Sequence, residues 1–230
     1  ANATVKRNFE CIRAIWNFVA REHGVNATNP FGNMNYGNGS QPIKRKPIPD
    51  EQIKQIQQTC YTVDDDIRWL IALISDTGMR LSEAVGLIKN DVVLEAAVPF
   101  VKLRPHRWRS LKTNGSERNI PLVGSALWAS TRAIAESKTG FLFPRYCSTV
   151  ECKSDYASNT LNKWLREQVP KGFVIHSFRH SLRDRLRFAG CPSDIIDEIG
   201  GWQRSGVGQK YGDGHNLTSL EFWLSKIVLT

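Results

Sequence analysis

The segment VIHSFRHSLRDRLRFAG, at residues 174–190, places two histidines and four arginines in one short stretch. At the period of a helix, His176 and Arg179 lie on one face and Arg183 follows on the same side. Imidazole titrates near neutral pH and guanidinium keeps its charge, so this face could bind an anion and move a proton beside it. A basic helix face that only contacts solvent or DNA is the ordinary alternative, and this segment alone does not separate the two.

A second candidate is Arg80, in DTGMRLSEAVGL at residues 76–87. Gly78 is typical of a helix end, and Arg80 follows it at the start of a short new helix. Glu83, three residues later, could hold Arg80 through an ion pair on the same helix face. An arginine that merely faces solvent at a helix end would look the same, so this motif is weak by itself.

A basic hairpin is predicted between residues 92 and 122. The apolar runs VPFVKLRP and RNIPLV are typical of two strands, and Asn114-Gly115 predicts the turn between them. Lys112 comes just before this turn, where a flexible ammonium could reach into a cleft and, unlike a guanidinium, release a proton. Other basic residues of the hairpin, and two further along the chain, are expected to contact DNA phosphates. They are Arg104, Arg107, Arg109, Arg118, Arg183 and Lys210.

Trp202 and Tyr211 lie in IGGWQRSGVGQKYGDG, at residues 199–214. A tryptophan is ordinarily a core residue, and a lone tyrosine ordinarily packs with its hydroxyl at the surface. The glycine-rich surroundings of Tyr211 suit a nucleophile that can move better than they suit a side chain fixed in a core.

In chain order, these motifs resemble the tyrosine recombinases, also called the phage integrase family. TGMRLSEAVGL is similar to that family's first arginine box, and HSFRHSL is similar to its His-x-x-Arg box. GGW with a tyrosine nine residues after the tryptophan is similar to its last motif, and KTNGSERNIPL is similar to the hairpin that carries its lysine. The resemblance covers about residues 48–215, and the ordered set is far more specific than any one motif.

The resemblance implies a role for each member of this set. The implied catalytic residues are Arg80, Lys112, His176, Arg179, Trp202 and Tyr211, with Glu83 and His180 in support. Tyr211 attacks a DNA phosphate while Arg80 and Arg179 neutralise the phosphate charge. His176 takes or guides the tyrosine proton, and Lys112 protonates the departing 5′ oxygen. The product is a 3′-phosphotyrosyl link that keeps the bond energy for rejoining.

Trp202 departs from the pattern, because many family members have a second histidine there. An indole N–H donates one hydrogen bond but cannot carry a proton, so Trp202 is expected to act through packing and a phosphate contact. His180 is expected to be structural. Arg183, Arg185 and Arg187 are interpreted as surface or DNA-backbone residues.

The elements predict a mainly α protein with a small antiparallel β-sheet, an α+β fold like a tyrosine-recombinase catalytic domain. Residues 1–23 resemble the last helix of a core-binding domain that is otherwise missing, which would make the chain a fragment. Residues 24–47 are predicted to be a linker, and 48–230 a catalytic domain with a tail at 213–230. The tail could dock on a neighbouring protomer or fold back, and both alternatives stay open for its apolar stripe: Leu217, Leu220, Trp223, Leu224 and Ile227.

Composition favours a polyanionic partner. The 230 residues are 41% hydrophobic, enough for a packed core, and carry 31 Lys and Arg against 22 Asp and Glu, a net charge of +9. No apolar run is long enough to span a bilayer, and the chain starts without an apolar leader, so a cytoplasmic protein on DNA is expected. The resemblance implies that the partners are double-stranded DNA and accessory DNA-bending proteins. It also implies a tetramer on the DNA, formed by a chain that can be monomeric in isolation. No cofactor, metal or ATP is expected, and no membrane.

The five cysteines are odd in number and scattered. Cys147 and Cys152 are the closest pair, but no histidine cluster lies nearby to complete a zinc site. We therefore expect reduced structural thiols.

Two rival functions remain. A type IB topoisomerase shares the chemistry but relaxes one duplex at no preferred site. A catalytically silent DNA-binding module would explain the charge, but not the positions of Lys112 and Tyr211.

Replacing Tyr211 by phenylalanine removes the hydroxyl and leaves the ring. We expect Tyr211→Phe to abolish an SDS-resistant protein–DNA adduct on nicked DNA and to leave DNA binding nearly intact, because only the nucleophile is lost. Tyr156→Phe is the matched control and should form adduct normally. Adduct formation by Tyr211→Phe would show that the nucleophile is another residue.

Overall fold

The computed structural model describes residues 2–35, 45–113, 116–202 and 214–229. It divides the chain into two compact units, residues 1–44 and 45–230. Their elements, in chain order, are α1 (Asn2–Glu22) in the first unit and α2 (Asp50–Val63), α3 (Asp66–Thr77), α4 (Leu81–Val85), β1 (Val92–Val93), β2 (Phe100–Leu103), β3 (Arg118–Pro121), α5 (Gly124–Glu136), α6 (Ser154–Gln168), α7 (Ser177–Phe188), α8 (Ser193–Gly200) and α9 (Leu217–Ser225) in the second. No helix within the described ranges is both long and apolar enough to cross a bilayer.

The first unit consists of the predicted helix and a short segment after it that folds back along the helix. The Asn29 side-chain amide donates to the carbonyl of Arg13 (3.2 Å) and to Asn17 Oδ1 (2.6 Å). Several large apolar side chains of α1 are exposed, including Ile15 at 64% and Phe18 at 63%.

The second unit confirms the predicted class, mainly helical with one small antiparallel sheet. The strand order is β1-β2-β3. Phe100 pairs with Pro121 and Leu103 pairs with Arg118, so β2 and β3 are the two arms of the predicted hairpin. Its turn residues, 114 and 115, lie outside the described ranges.

Helix α3 is the centre of the core because its apolar residues are buried on every side: Leu70, Ile71, Leu73 and Ile74. Asp65 caps its start by accepting from the Arg68 N–H at 2.9 Å. Gly78 ends it at φ +60°, as predicted, and turns the chain into α4. Pro49 precedes α2, and Asp50 is its first helical residue, where its charge suits the helix dipole.

A buried ion pair joins α3 to α7. Arg185 Nη2 lies 3.3 Å from Asp76 Oδ1 and also donates to the carbonyl of Ile227, just after α9. Burial raises the pKa of Asp76, although Arg185 and the Gln57 amide act in the opposite direction. The interpretation of Arg185 as a surface residue is therefore wrong: its guanidinium is a tie within the fold.

The tail folds back on its own domain in this structure. Leu220, Leu224 and Ile227 are buried in one hydrophobic cluster with Leu182 and Leu186 of α7. The apolar stripe seen in the sequence thus completes a second hydrophobic cluster of the same domain.

The expectation of reduced thiols is wrong for one pair, since Cys147 and Cys152 form a disulfide. An isolated antiparallel bridge between α5 and α6 pairs the two residues and brings their Cα atoms to 4.3 Å. Spacing along the sequence did not show that the chain reverses between them. Cys60 and Cys191 are buried thiols, as expected.

The left-handed turn at Gly78 gives a stability test. A Cβ at Gly78 would lie 2.5 Å from Leu182 Cδ2, whereas one at Gly190, also at positive φ (+78°), would meet nothing within 4 Å. Both alanine variants should lose about 1–2 kcal/mol from backbone strain. Gly78→Ala should lose roughly 1–3 kcal/mol more from overpacking, measured by urea unfolding. Equal losses at the two sites would show that Leu182 moves aside freely.

Candidate active site

Arg80 begins α4 and is held by Glu83. Its Nη1 donates to Glu83 Oε1 at 2.5 Å and to Ser116 Oγ at 3.2 Å, and its backbone N–H donates to Glu83 Oε2 at 2.9 Å. The predicted Arg80–Glu83 pair is therefore present, with the Arg80 side chain 20% exposed and the Glu83 side chain 2% exposed. The contact to Ser116 also ties Arg80 to the return arm of the hairpin.

Glu83 holds a second arginine in the interior. Arg118 Nη2 lies 3.1 Å from Glu83 Oε2, while Arg118 Nε donates to the carbonyl of Ile199 (2.9 Å) and Nη1 to that of Ser116 (2.7 Å). Burial acts to raise the pKa of Glu83, but Arg118 and Arg80 together outweigh it, so this pKa lies below its ordinary value. One carboxylate thus joins α4, the hairpin and the end of α8.

Two residues expected to contact DNA are instead interior. Arg109 and Arg118 are only 3% and 7% exposed. Arg109 donates to the carbonyls of Glu83 (2.7 Å) and Arg104, so its guanidinium is already engaged by the protein. The sequence showed their charge but not their burial, because long-range carbonyl partners have no local pattern. We therefore exclude both from the DNA-contact set.

Arg179 is fixed between two glycine carbonyls. Its Nη1 donates to Gly78 O (2.9 Å) and its Nη2 to Gly200 O (2.5 Å), and it is 3% exposed. Burial and then the neighbouring Arg80 and Arg118 lower the pKa of Arg179 to about 9, so the group is still charged at neutral pH. This crowding of like charges is what a bound phosphate would relieve.

Trp202 stacks on this arginine. The guanidinium carbon of Arg179 lies 4.3 Å from the Trp202 ring centroid and that of Arg183 lies 4.7 Å away. Arg183 also pairs with Asp197 of α8 at 3.1 Å. The expected packing role of Trp202 therefore has a specific form here, in which the indole face holds two guanidinium groups.

His176 directly precedes α7 and is half-buried beside exposed His180, with ring centroids 5.4 Å apart. The N–H of the preceding residue, Ile175, donates to Asn162 of α6 at 2.9 Å. Burial, then the charge of Arg45, lowers the pKa of His176 to about 4, and the same two causes lower that of His180. His176 is therefore neutral at pH 7 and can accept a proton.

Arg45 is a residue that the sequence motifs did not single out. Ile48 is tied to α7 in both directions, since its N–H donates to Ser181 Oγ (2.7 Å) and its carbonyl accepts from that hydroxyl (3.0 Å). This tie keeps exposed Arg45 close enough to bias His176 and His180. Its only sequence signal was a basic cluster in the predicted linker.

Lys112 is exposed, between the two arms of the hairpin. Next to it, Thr113 Oγ1 and Ser116 Oγ lie 2.9 Å apart, and Ser116 also receives the Arg80 bond. The hairpin that carries Lys112 is thus connected to Arg80. Tyr211 and Lys210 lie outside the described ranges.

The other two hairpin arginines that were expected to contact DNA differ in exposure and in their bonds to the protein. Arg107 is exposed. Arg104 is partly buried, with bonds to the Arg118 carbonyl (3.0 Å), Asn119 (3.0 Å) and Glu117 (3.1 Å).

The low pKa of His176 gives a pH test. A histidine takes up a proton near its ordinary pKa of 6.5 in the unfolded chain but only near 4 in the fold. The unfolded state therefore binds more protons between about pH 6.5 and pH 4, so stability falls as pH falls through that window. We expect His176→Asn to flatten the dependence of Tm on pH there. An unchanged slope would assign the acid sensitivity to other groups.

The model of the phage integrase family matches residues 46–216. Tyrosine recombinase XerC of Herpetosiphon aurantiacus is 29% identical over 133 residues, 55% of this chain and 39% of that protein. A resolvase of Escherichia coli is 24% identical over 165 residues, 61% of this chain and 64% of that protein. The chain thus spans about two fifths of the first relative and just under two thirds of the second.

Solved structures share the fold. The Tn1549 transposon integrase in complex with circular intermediate DNA has a TM-score of 0.63 at 20% identity, over 96% of this chain and 78% of that one. A lambda integrase tetramer bound to a Holliday junction has a TM-score of 0.60 at 14% identity, over 88% and 57%. The family model covers most of the chain, including the whole set from Arg80 to Tyr211, and we conclude that the chain belongs to the phage integrase family.

Proposed function

We propose that the protein is a site-specific DNA recombinase, or integrase, that cleaves and rejoins DNA through a 3′-phosphotyrosyl link to Tyr211. The observation that carries this proposal is the convergence of Arg80 and Arg179. They come from separate helices, α4 and α7, yet Arg80 is the first of the charges that lower the pKa of Arg179. Two guanidinium groups in a partly buried, positively charged site suit a phosphodiester better than any neutral ligand.

Both arginines keep donors for a phosphate. Within the described ranges, the side-chain bonds of Arg80 use Nη1, which leaves Nε and Nη2 for an incoming oxygen. Arg179 has five N–H donors, and two are used on Gly78 and Gly200. The protein contacts therefore fix the orientation of each fork and leave part of it to stabilise the charge of the pentavalent transition state.

The proton transfers fall to two further groups. His176 is neutral at pH 7 and can take or guide the proton of the Tyr211 hydroxyl, while the guanidinium charges favour the phenolate. Lys112, on the exposed hairpin, protonates the departing 5′ oxygen. The arginines supply the charge that a metal would supply, and the phosphotyrosyl bond keeps the energy of rejoining, so we propose a reaction without metal or ATP.

The same proposal covers the partners and the domains. Arg107, Arg183, Arg104 and Lys210 are proposed to contact the DNA backbone. Residues 48–230 are proposed to be the catalytic domain, residues 24–47 a linker, and residues 1–23 part of a core-binding domain. We propose a tetramer on DNA, aided by accessory DNA-bending proteins, in the cytoplasm. The lambda integrase tetramer on a Holliday junction supports this assembly by analogy of fold.

The direct test is capture of the covalent link. The protein is mixed with a pool of nicked duplexes of random sequence, in which cleavage near the nick releases a short strand and traps the adduct. We expect an SDS-resistant adduct whose tryptic peptide carries nucleotide on Tyr211, and a preferred sequence among the trapped duplexes. No adduct would overturn the proposal, and an adduct without sequence preference would favour a topoisomerase instead.

The role of Lys112 can be separated from that of the arginines. Sulfur in place of the bridging 5′ oxygen leaves as a thiolate and needs no proton. Lys112→Ala should be about 10²–10⁴-fold slow on normal DNA and largely restored on the sulfur substrate. The measurement is the rate of cleavage of the preferred DNA sequence found among the trapped duplexes, with oxygen and with sulfur at the bridging position.

Arg80→Ala and Arg179→Ala are the matched controls. Neither should be restored by sulfur, because the charge on the non-bridging oxygens is unchanged. His176→Ala should also gain nothing. Equal slowness of Lys112→Ala on both substrates would make the lysine a phosphate contact only.

A further inference from the structure

Helix α8 contacts the chain on both sides of the segment that carries Tyr211. The described residues end at Trp202 and resume at Gly214, and both flanks bind to α8. Helix α8 is only eight residues long, yet it contacts the chain both before and after the proposed nucleophile.

The upstream flank is held by the C-terminal turn of α8. Trp202 N–H donates to the carbonyl of Asp197 at 2.9 Å, and Gly201 N–H donates to that of Glu198 at 3.1 Å. The Trp202 ring is covered by Arg179 and Arg183, so its side chain is fixed as well as its backbone.

The downstream flank is held by two acidic side chains of α8. His215 N–H lies 3.2 Å and 3.1 Å from the two carboxylate oxygens of Glu198, and its Nε2 lies 2.9 Å from Asp194 Oδ2. Gly214 has a φ of +79°, and a Cβ there would lie 2.7 Å from Glu198 Oε1. The positive φ favours glycine at this position, and its lack of a side chain leaves room for the Glu198 carboxylate.

These contacts limit where the nucleophile can go. Tyr211 is four residues before His215, and four residues of extended chain span at most about 14 Å. Without the contacts at His215, the nearest fixed point downstream is the start of α9 at Leu217, six residues from Tyr211, which allows about 21 Å. The effective concentration of a tethered group falls as its tether lengthens, so the anchor at His215 raises the chance that the hydroxyl meets the phosphate.

We propose that Asp194, Glu198 and His215 are positioning residues for Tyr211: they anchor the downstream end of its segment to α8, beside the arginine cluster. This proposal rests on the proposed function, because it concerns the nucleophile of that reaction. It adds residues that the sequence motifs did not single out and that act without touching the phosphate.

The test compares tyrosine attack with attack by a small nucleophile. His215→Ala, Asp194→Asn and Glu198→Gln are assayed for single-turnover adduct formation, DNA affinity and Tm. We expect adduct formation to fall roughly 10- to 100-fold in His215→Ala, with DNA affinity and Tm close to wild type, because misplacement of the nucleophile alone slows the reaction. His215→Gln should recover most of the rate, since its amide can donate to Asp194 in place of the imidazole.

Two controls make the assignment specific. Asp155→Asn removes a first-turn carboxylate from α6, as Asp194→Asn does from α8, and should leave adduct formation unchanged. Asp194→Asn and His215→Ala should be non-additive when combined, because they break the same contact.

Hydrogen peroxide supplies the second nucleophile. In a Tyr211→Phe background, peroxide can attack the phosphate if the arginines, His176 and Lys112 are intact. We expect His215→Ala to leave this cleavage unchanged, because peroxide needs no tether. An equal fall in tyrosine and peroxide cleavage, or a wild-type rate of adduct formation in His215→Ala, would overturn the positioning role. Absence of adduct in the wild-type protein would instead overturn the proposed function, and this inference with it.

Discussion

The buried carboxylate of Glu83 holds two guanidinium groups, those of Arg80 and Arg118, and its own backbone carbonyl binds a third, that of Arg109. Burying a charge without partners costs several kcal/mol, so each of these groups depends on the others to stay inside the protein. Because Arg118 and Arg80 also bind Ser116, this one carboxylate fixes the distance between α4 and the hairpin. A site for a phosphate can then be rigid before the phosphate arrives, which is the condition for electrostatic catalysis.

The electrostatics of the site are those of an incomplete ion cluster. Arg179, Arg80 and Arg118 crowd near one carboxylate, and this crowding lowers the pKa of Arg179 while burial and Arg45 lower that of His176. A phosphodiester group, which carries one negative charge, would add negative charge to this cluster. Under the proposed mechanism, binding of DNA is expected to raise the pKa of His176, so that the proposed base becomes stronger when its substrate is in place.

In three places in the described part of the fold, an arginine side chain donates to backbone carbonyls at or near the C-terminal end of a helix. Arg179 binds those of Gly78 and Gly200, Arg118 binds that of Ile199, and Arg185 binds that of Ile227. The last carbonyls of a helix lack partners within the helix, so a guanidinium both satisfies them and fixes the direction in which the chain leaves. These three arginines thus bring the ends of α3, α8 and α9 to helix α7, which carries Arg179 and Arg185, and to strand β3, which carries Arg118.

Much of this protein followed from its sequence. The helices, the two-stranded hairpin, the helix end at Gly78 and the pairing of Arg80 with Glu83 are local, and a local pattern of apolar, glycine and charged residues determines them. The order of the motifs was enough to indicate the family, because the same side-chain types must recur in the same order to build one site.

Only the tertiary structure decided which charges are inside. Arg109, Arg118 and Arg185 have the same sequence appearance as surface arginines, but their partners are carbonyls and carboxylates that lie far away in the chain. The disulfide between Cys147 and Cys152, the return of α9 onto its own domain, and the contacts of His215 with α8 also depend on distant parts of the chain. Each depends on where the chain crosses itself, and that crossing is set by the packing of the whole core rather than by any neighbouring residues.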